Sequence, residues 1–266
     1  MMIVVYFFLG GIAGGAYFTA AIADVFGTVR DRSVARIGYL VALPLVAVCG
    51  LLLIWDLGVP LRFLNMVGHF KFWDPMSIGA WALGVFGLFT LVSSVMSFST
   101  SEEIHRRRRI IGLVGTVFGF FLASYTGVLL SNTALPFWSD SRLMGALFLA
   151  SGASTGMAAI ALILFLTGSA GGEGWRKVKR ADRYAILFEI VLLAVFLALL
   201  GSAAAPLLSG HFAALFWIGL VVIGLVVPLG IDVLAHRTRG MGAVAAALVL
   251  VGGFVLRYVV VMSIQS

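Results

Sequence analysis

Four side chains able to do proton or hydrogen-bond chemistry fall at one depth of an otherwise apolar chain. Tyr6 lies near the start of the first apolar stretch and Asp56 ends the second. Tyr125 sits in the fourth, within Ala123-Ser124-Tyr125-Thr126-Gly127, and Arg257 lies inside the eighth. Three carboxylates, Asp24, Glu189 and Asp232, form a second level near the other end of their stretches. An ionisable group in hydrocarbon is costly, so each needs a reason to be there. Asp56 reads either as an interfacial carboxylate wetted by water or as a proton acceptor beside a redox site. Arg257 reads as a buried partner of Asp56 or of loop carbonyls, or as a group that holds a ligand. Tyr6 is either an interface anchor or a hydrogen-bond donor to a ligand. Tyr125 sits deeper than an anchor needs, which favours function. Asp24 and Asp232 either pair with nearby Arg30 and Arg237 or, together with Glu189, line a proton route. No ionisable group is expected at the midplane. His69 is either a solvated loop histidine or a neighbour of the redox site.

The elements that must position these residues are spanning helices. Of the 266 residues, 62% are hydrophobic and 11% charged, and the mean hydropathy is +1.12. Soluble domains carry about 25% charged residues, and disordered chains lack such apolar content, so both classes are excluded. Eight apolar stretches, near 3–25, 37–56, 77–98, 110–131, 143–167, 184–205, 212–233 and 242–264, are each about as long as a bilayer crossing requires. The fold expected is all-α, one polytopic domain over residues 1–266. Arg30, Arg32, Arg36, the run Arg106 to Arg109, the group Arg176, Lys177, Lys179, Arg180 and Arg183, and Arg237 and Arg239 fall in alternate connections. These are fourteen of the 18 basic residues. The positive-inside rule places them in the cytoplasm and both termini outside. The basic segments therefore read as topology determinants touching anionic lipid, and nucleic acid is not an expected partner. Ala21-Ile22-Ala23 resembles a cleavage site, but no basic residue precedes the apolar stretch, so a signal peptide is not expected.

One cysteine, Cys49, excludes an internal disulfide and an iron–sulfur cluster held by this chain. His69, His105, His211 and His236 all fall in connections or at helix ends, on opposite sides, so haem and metal are not expected. Gly10/Gly14, Gly11/Gly15, Gly115/Gly119 and Gly152/Gly156 have the spacing that lets helices approach closely. The two long outer connections, around 57–74 and 132–142, mix Pro, Asn and Asp with aromatics.

Five motifs in order carry a resemblance. They are Tyr6-Phe7-Phe8-Leu9-Gly10-Gly11-Ile12-Ala13-Gly14-Gly15, Trp55-Asp56-Leu57-Gly58 with Pro60-Leu61-Arg62-Phe63, Pro75-Met76-Ser77-Ile78-Gly79-Ala80-Trp81, Ser124-Tyr125-Thr126-Gly127-Val128-Leu129 with Pro136-Phe137-Trp138, and Gly252-Gly253-Phe254-Val255-Leu256-Arg257-Tyr258. Nearly the whole chain resembles the NrfD-like family, membrane subunits of polysulfide and cytochrome c nitrite reductase systems. The resemblance implies an eight-helix, haem-free, quinone-reactive subunit in the bacterial inner membrane. It implies menaquinol as electron source, a ferredoxin-like iron–sulfur subunit docked on the periplasmic side, and a molybdenum or multihaem catalytic subunit beyond it. By that resemblance Tyr6, Asp56 and Tyr125 occupy quinone-contacting positions. Val59 and Leu135 depart from the pattern where basic residues are common.

Chemistry agrees with this reading. Oxidising a quinol releases two electrons and two protons, so its head group needs polar partners in an apolar pocket. Tyr6 and Tyr125 can bond its oxygens, and Asp56 can accept a proton. Two other readings stay open: a transporter, which would need a midplane substrate site and broken helices, and a purely structural anchor for a redox complex.

Overall fold

A computed structural model describes residues 2–56, 73, 75–131, 143–234 and 238–263. Eight helices are long and apolar enough to cross a membrane. They are α1 (Met2–Phe26), α2 (Arg32–Asp56), α3 (Pro75–Met96), α4 (Glu102–Ser131), α5 (Met144–Leu166), α6 (Glu173–Leu200), α7 (Leu215–Leu234) and α8 (Arg239–Met262). No strand occurs among the described residues. The expected all-α polytopic fold is what the protein adopts. Only helices and closed barrels can satisfy every backbone polar group in lipid, and uninterrupted apolar runs of this length select the helix.

The helices differ from expectation mainly at their arginine-rich ends. There α2, α4, α6 and α8 begin earlier than the apolar pattern does, most of all α6, at Glu173 instead of 184. Of the basic residues assigned to connections, Arg32, Arg36, Arg106 to Arg109, Arg176, Lys177, Lys179, Arg180, Arg183 and Arg239 therefore ride on early turns of helices. Lys and Arg have good helix propensity, and their long stems let charge reach water while the backbone continues. Ion pairs across the connections tie these turns together, as in Arg30 with Glu173 at 2.9 Å. A one-turn 3-10 helix at Val29–Asp31 joins α1 to α2. Asp31 closes it by accepting the Thr28 backbone N–H at 2.8 Å. Gly168 and Gly201 take φ of 73° and 51° just beyond α5 and α6, a conformation that stops a helix and suits glycine.

Helix α1 is central and packs on α2, α4, α5 and α8. Its closest approach is to α5, where a side chain on Gly15 would run into the Gly152 carbonyl and Gly156. The small-residue spacing thus serves packing, as expected. A second such crossing, Gly224 of α7 against Gly252 of α8, was not singled out in the sequence. Helix α7 is π-wound over Leu215–Val226 before becoming regular at Val227. Pro228 has no N–H for the Gly224 carbonyl and its ring crowds that group, which disfavours regular winding before it.

Candidate functional site

At the end of the bundle away from the arginines, α1 and α2 share a small cleft. Met2, Ile3 and Tyr6 line it from α1, and Leu52, Leu53 and Asp56 from α2. Each set has the same i, i+1, i+4 spacing, which puts three side chains on one helical face. The two helices therefore offer a phenol and a carboxylate to one apolar-walled opening of about 30 Å³. Asp56 is exposed and Tyr6 half-buried. Buried Cys49 lies behind, its Sγ 3.7 Å from the Tyr6 carbonyl oxygen. Tyr125 of α4 is within electrostatic range of Tyr6 but does not line the cleft. Its ring stacks on Phe121 and fills the space over Gly79, and its hydroxyl donates to the Pro75 carbonyl at the start of α3. His69 and the two long outer connections lie outside the described residues.

Arg257 is fully buried and does not reach Asp56. Its Nε donates to the Phe7 carbonyl at 3.1 Å. Nη1 donates to Ser151 Oγ at 3.1 Å and to the Gly253 carbonyl at 2.8 Å, and Nη2 to the Phe148 carbonyl at 3.4 Å. The guanidinium also lies over the Phe148 ring, 5.3 Å from its centroid. It fits because Gly11 of α1 has no side chain: a Cβ there would occupy the guanidinium's place. Of the two structural roles read from sequence, carbonyl partner and Asp56 partner, the structure selects carbonyls, and they belong to helices.

Glu189 belongs to the same network. Ser154 Oγ donates to its carboxylate at 2.7 Å, Ser151 is within hydrogen-bonding reach, and Arg257 stabilises it electrostatically. Counted from Glu173, Glu189 is about 24 Å along α6, and Arg257 is about 27 Å along α8 from Arg239. Both start from the arginine-rich end, so Glu189 lies near the middle of its 28-residue helix, and Arg257, which bonds Phe7, lies nearer the opposite end. This corrects the expectation that Glu189 sits close to that end and that the midplane lacks ionisable groups. The early start of α6 is the reason.

The other two carboxylates of the expected inner layer have separate partners. Asp24 is held by Arg108 of α4, with Nε to Oδ2 at 2.7 Å and Nη2 to Oδ1 at 2.6 Å, both side chains buried. The expected partner Arg30 instead bonds Glu173, because Asp24 is on the inward face of α1 and Arg30 lies beyond its end. Lys179 Nζ lies 3.0 Å from Asp232 and 3.3 Å from Asp182, and Arg183 donates to the Asp232 backbone carbonyl at 2.7 Å. Arg237, the expected partner of Asp232, lies outside the described residues. Asp182 is wholly buried, feels both Asp232 and Glu189, and has one oxygen without a hydrogen-bond partner among the described residues. Asp232, Asp182 and Glu189 thus follow one another into the bundle, while Asp24 stands apart.

Arg108, Lys179, Asp182, Ser151 and Ser154 were missed as network members. Arg108 and Lys179 were read as connection residues, and Asp182 was not singled out. The serines carried a usable signal: Ser151, Ser154 and Thr155 are spaced i, i+3, i+4, a polar stripe inside an apolar span.

Eight apolar helices with buried charges paired inside them define a multi-pass integral membrane protein. The sequence model of the family described as "Polysulphide reductase, NrfD" matches residues 1–266, and the chain belongs to that family. It is 30% identical to the C subunit of polysulfide reductase from Wolinella succinogenes, 25% to the protein NrfD homolog of Haemophilus influenzae and 28% to protein NrfD of Escherichia coli. Each comparison covers 99% of this chain and 93% of the relative.

Proposed function

We propose that the chain is the quinone-reactive membrane subunit of a redox complex in the bacterial inner membrane, exchanging electrons between menaquinol and an iron–sulfur partner docked at the Tyr6–Asp56 end. Membership of the NrfD family supports the coarse part of this reading, since one relative is named as a subunit of polysulfide reductase. The observation that carries the finer part is the pairing of Tyr6 and Asp56 on one cleft. The donor set fits a quinol in chemistry. A volume of about 30 Å³ admits the oxygen edge of a head group and not its ring, so the described residues are proposed to contact that edge only.

Bound quinol would supply two electrons and two protons. Tyr6 would hydrogen-bond a ring oxygen from the apolar wall. Asp56, at the exposed rim, would accept a proton and pass it to water. Tyr125 is proposed as the second phenol, its hydroxyl now engaged with Pro75. Arg257 would act as a positioning residue by fixing α1 at Phe7, next to Tyr6. His69 retains its proposed place beside the site by its position in the connection that follows Asp56. The succession Asp232, Asp182, Glu189, Ser154, Ser151 is proposed as the proton route, with Asp24 the poorest member because Arg108 engages both its oxygens.

The test uses the assembled complex. Asp56→Asn, Tyr6→Phe and Tyr125→Phe are each expected to lower quinol-dependent turnover about a hundredfold while the complex stays intact. Normal turnover in all three would refute the site. Binding of a quinone analogue to the purified subunit separates this reading from a structural anchor, and substrate flux in liposomes without redox partners would favour a transporter.

A further inference from the structure

We propose that a pocket at the arginine-rich end, between α6, α7 and α8, binds the phosphodiester head group of an anionic membrane lipid. The pocket holds about 200 Å³ and is lined chiefly by Trp175, Arg176, Lys179, Arg180, Arg183 and Asp232. Residues 176, 179, 180 and 183 are spaced i, i+3, i+4, i+7, so α6 turns four cations to one face. Asp232 and buried Asp182 are shared with Lys179, and Arg183 is anchored on the Asp232 carbonyl. Arg176 and Arg180 have no carboxylate partner among the described residues: Glu173, the acid nearest Arg176 in sequence, is taken by Arg30 and Lys177, and Asp182, nearest Arg180, by Lys179. The pocket therefore keeps a surplus of positive charge carried by guanidinium forks, which match phosphate geometry. The Trp175 Nε1 is buried without a hydrogen-bond partner among the described residues and adds a neutral donor at the same place.

Phosphate chemistry could be met by a lipid or by a soluble anion, and the surroundings favour lipid. The α6 face that carries Arg176, Arg180 and Arg183 continues one turn later with exposed Leu187. On α8, exposed Val244 lies two residues further into the bundle than Gly242, which lines the pocket. Cations followed by apolar surface along one face form the gradient from head group to acyl tail, and basic pockets between spanning helices at that level suit anionic lipid. The basic run of α4 differs: Arg107 is neutralised by Glu103 and Arg108 by Asp24, and no described pocket is built from that run.

The test is thermal unfolding of the full-length protein in detergent micelles doped with phosphatidylglycerol or phosphatidylcholine. Phosphatidylglycerol is expected to raise the unfolding midpoint and phosphatidylcholine to leave it unchanged. Loss of two charge-assisted contacts in the double variant R176Q/R180Q is expected to raise the half-saturating phosphatidylglycerol concentration roughly tenfold or more. The double variant R106Q/R107Q on α4 should respond like the unchanged protein. Trp175→Phe keeps every charge, and a several-fold weaker response places the indole in the site. An equal response from both arginine double variants would show diffuse attraction and overturn the proposal. Inorganic phosphate giving the full shift in phosphatidylcholine micelles would overturn the lipid assignment in favour of a soluble anion.

Discussion

Between α1 and α4 one buried ion pair closes on itself. Asp24 and Arg108 form a two-pronged pair that satisfies both carboxylate oxygens. Neutral buried contacts accompany it, such as Tyr17 with Ser93 at 2.8 Å and Ser94 with the Tyr39 carbonyl at 2.9 Å, while buried Asp31, between α1 and α2, pairs with Lys177 of α6 at 2.8 Å. Within α5–α8 the charges are strung out along depth. Lys179, Asp182 and Asp232 lie at one end, Glu189 two turns further along α6, and Arg257 beyond two serines. The Asp24–Arg108 pair satisfies its ions completely; the α5–α8 series leaves an oxygen of Asp182 unmatched among the described residues and separates Glu189 from Arg257 by hydroxyls that can both donate and accept. A closed pair holds helices together, whereas a graded series can relay a proton. The same residue types thus suit two purposes according to how completely each is satisfied, the second being the proposed proton route.

The largest effect should come from opening the closed pair. Asp24→Leu leaves the Arg108 guanidinium buried and unpaired, which is expected to cost about 3–5 kcal/mol in unfolding measurements, while the double change Asp24→Leu/Arg108→Leu should recover most of that. If the single change were harmless, the contrast between the halves would fail. Next is Arg257→Met, which removes the cation opposite Glu189 and the clasp on Phe7. A loss of about 2–3 kcal/mol is expected, again from the unfolding midpoint. Gly15→Ala pushes a methyl into the Gly152 carbonyl and should cost about 1–3 kcal/mol. The smallest stability effect belongs to Ser93→Ala, which removes the bond from Tyr17 and should cost about 1 kcal/mol. Glu189→Gln sharpens the comparison differently: it keeps a partner for Ser154 and the fold, and should abolish any proton uptake coupled to turnover, measured with a pH dye in vesicles.

The spans were legible because a bilayer sets a length that apolar runs either meet or miss. The depth of Glu189 was not, since it depends on where α6 begins, and the charged turns before residue 184 conceal a helix from a hydropathy pattern. Asp24 was legible as a costly buried acid, but its partner lies 84 residues away on α4 and no local spacing connects them. Tyr6 and Asp56 were placed at a common depth from counting along helices, and packing of α1 on α2 put them on one cleft. The Tyr125 bond to Pro75 depends on how α3 sits against α4, which a linear pattern does not encode.

The vacancy at Gly11 has a consequence for biosynthesis. The guanidinium that occupies it arrives on the last helix, and its bond to Phe7 spans 250 residues. Helix α1 therefore enters the bilayer with an open notch that stays unfilled until α8 has left the ribosome. Latching of α1 is in this sense a report that α8 has been made: a polypeptide truncated before Arg257 keeps α1 unlatched and exposed to quality control.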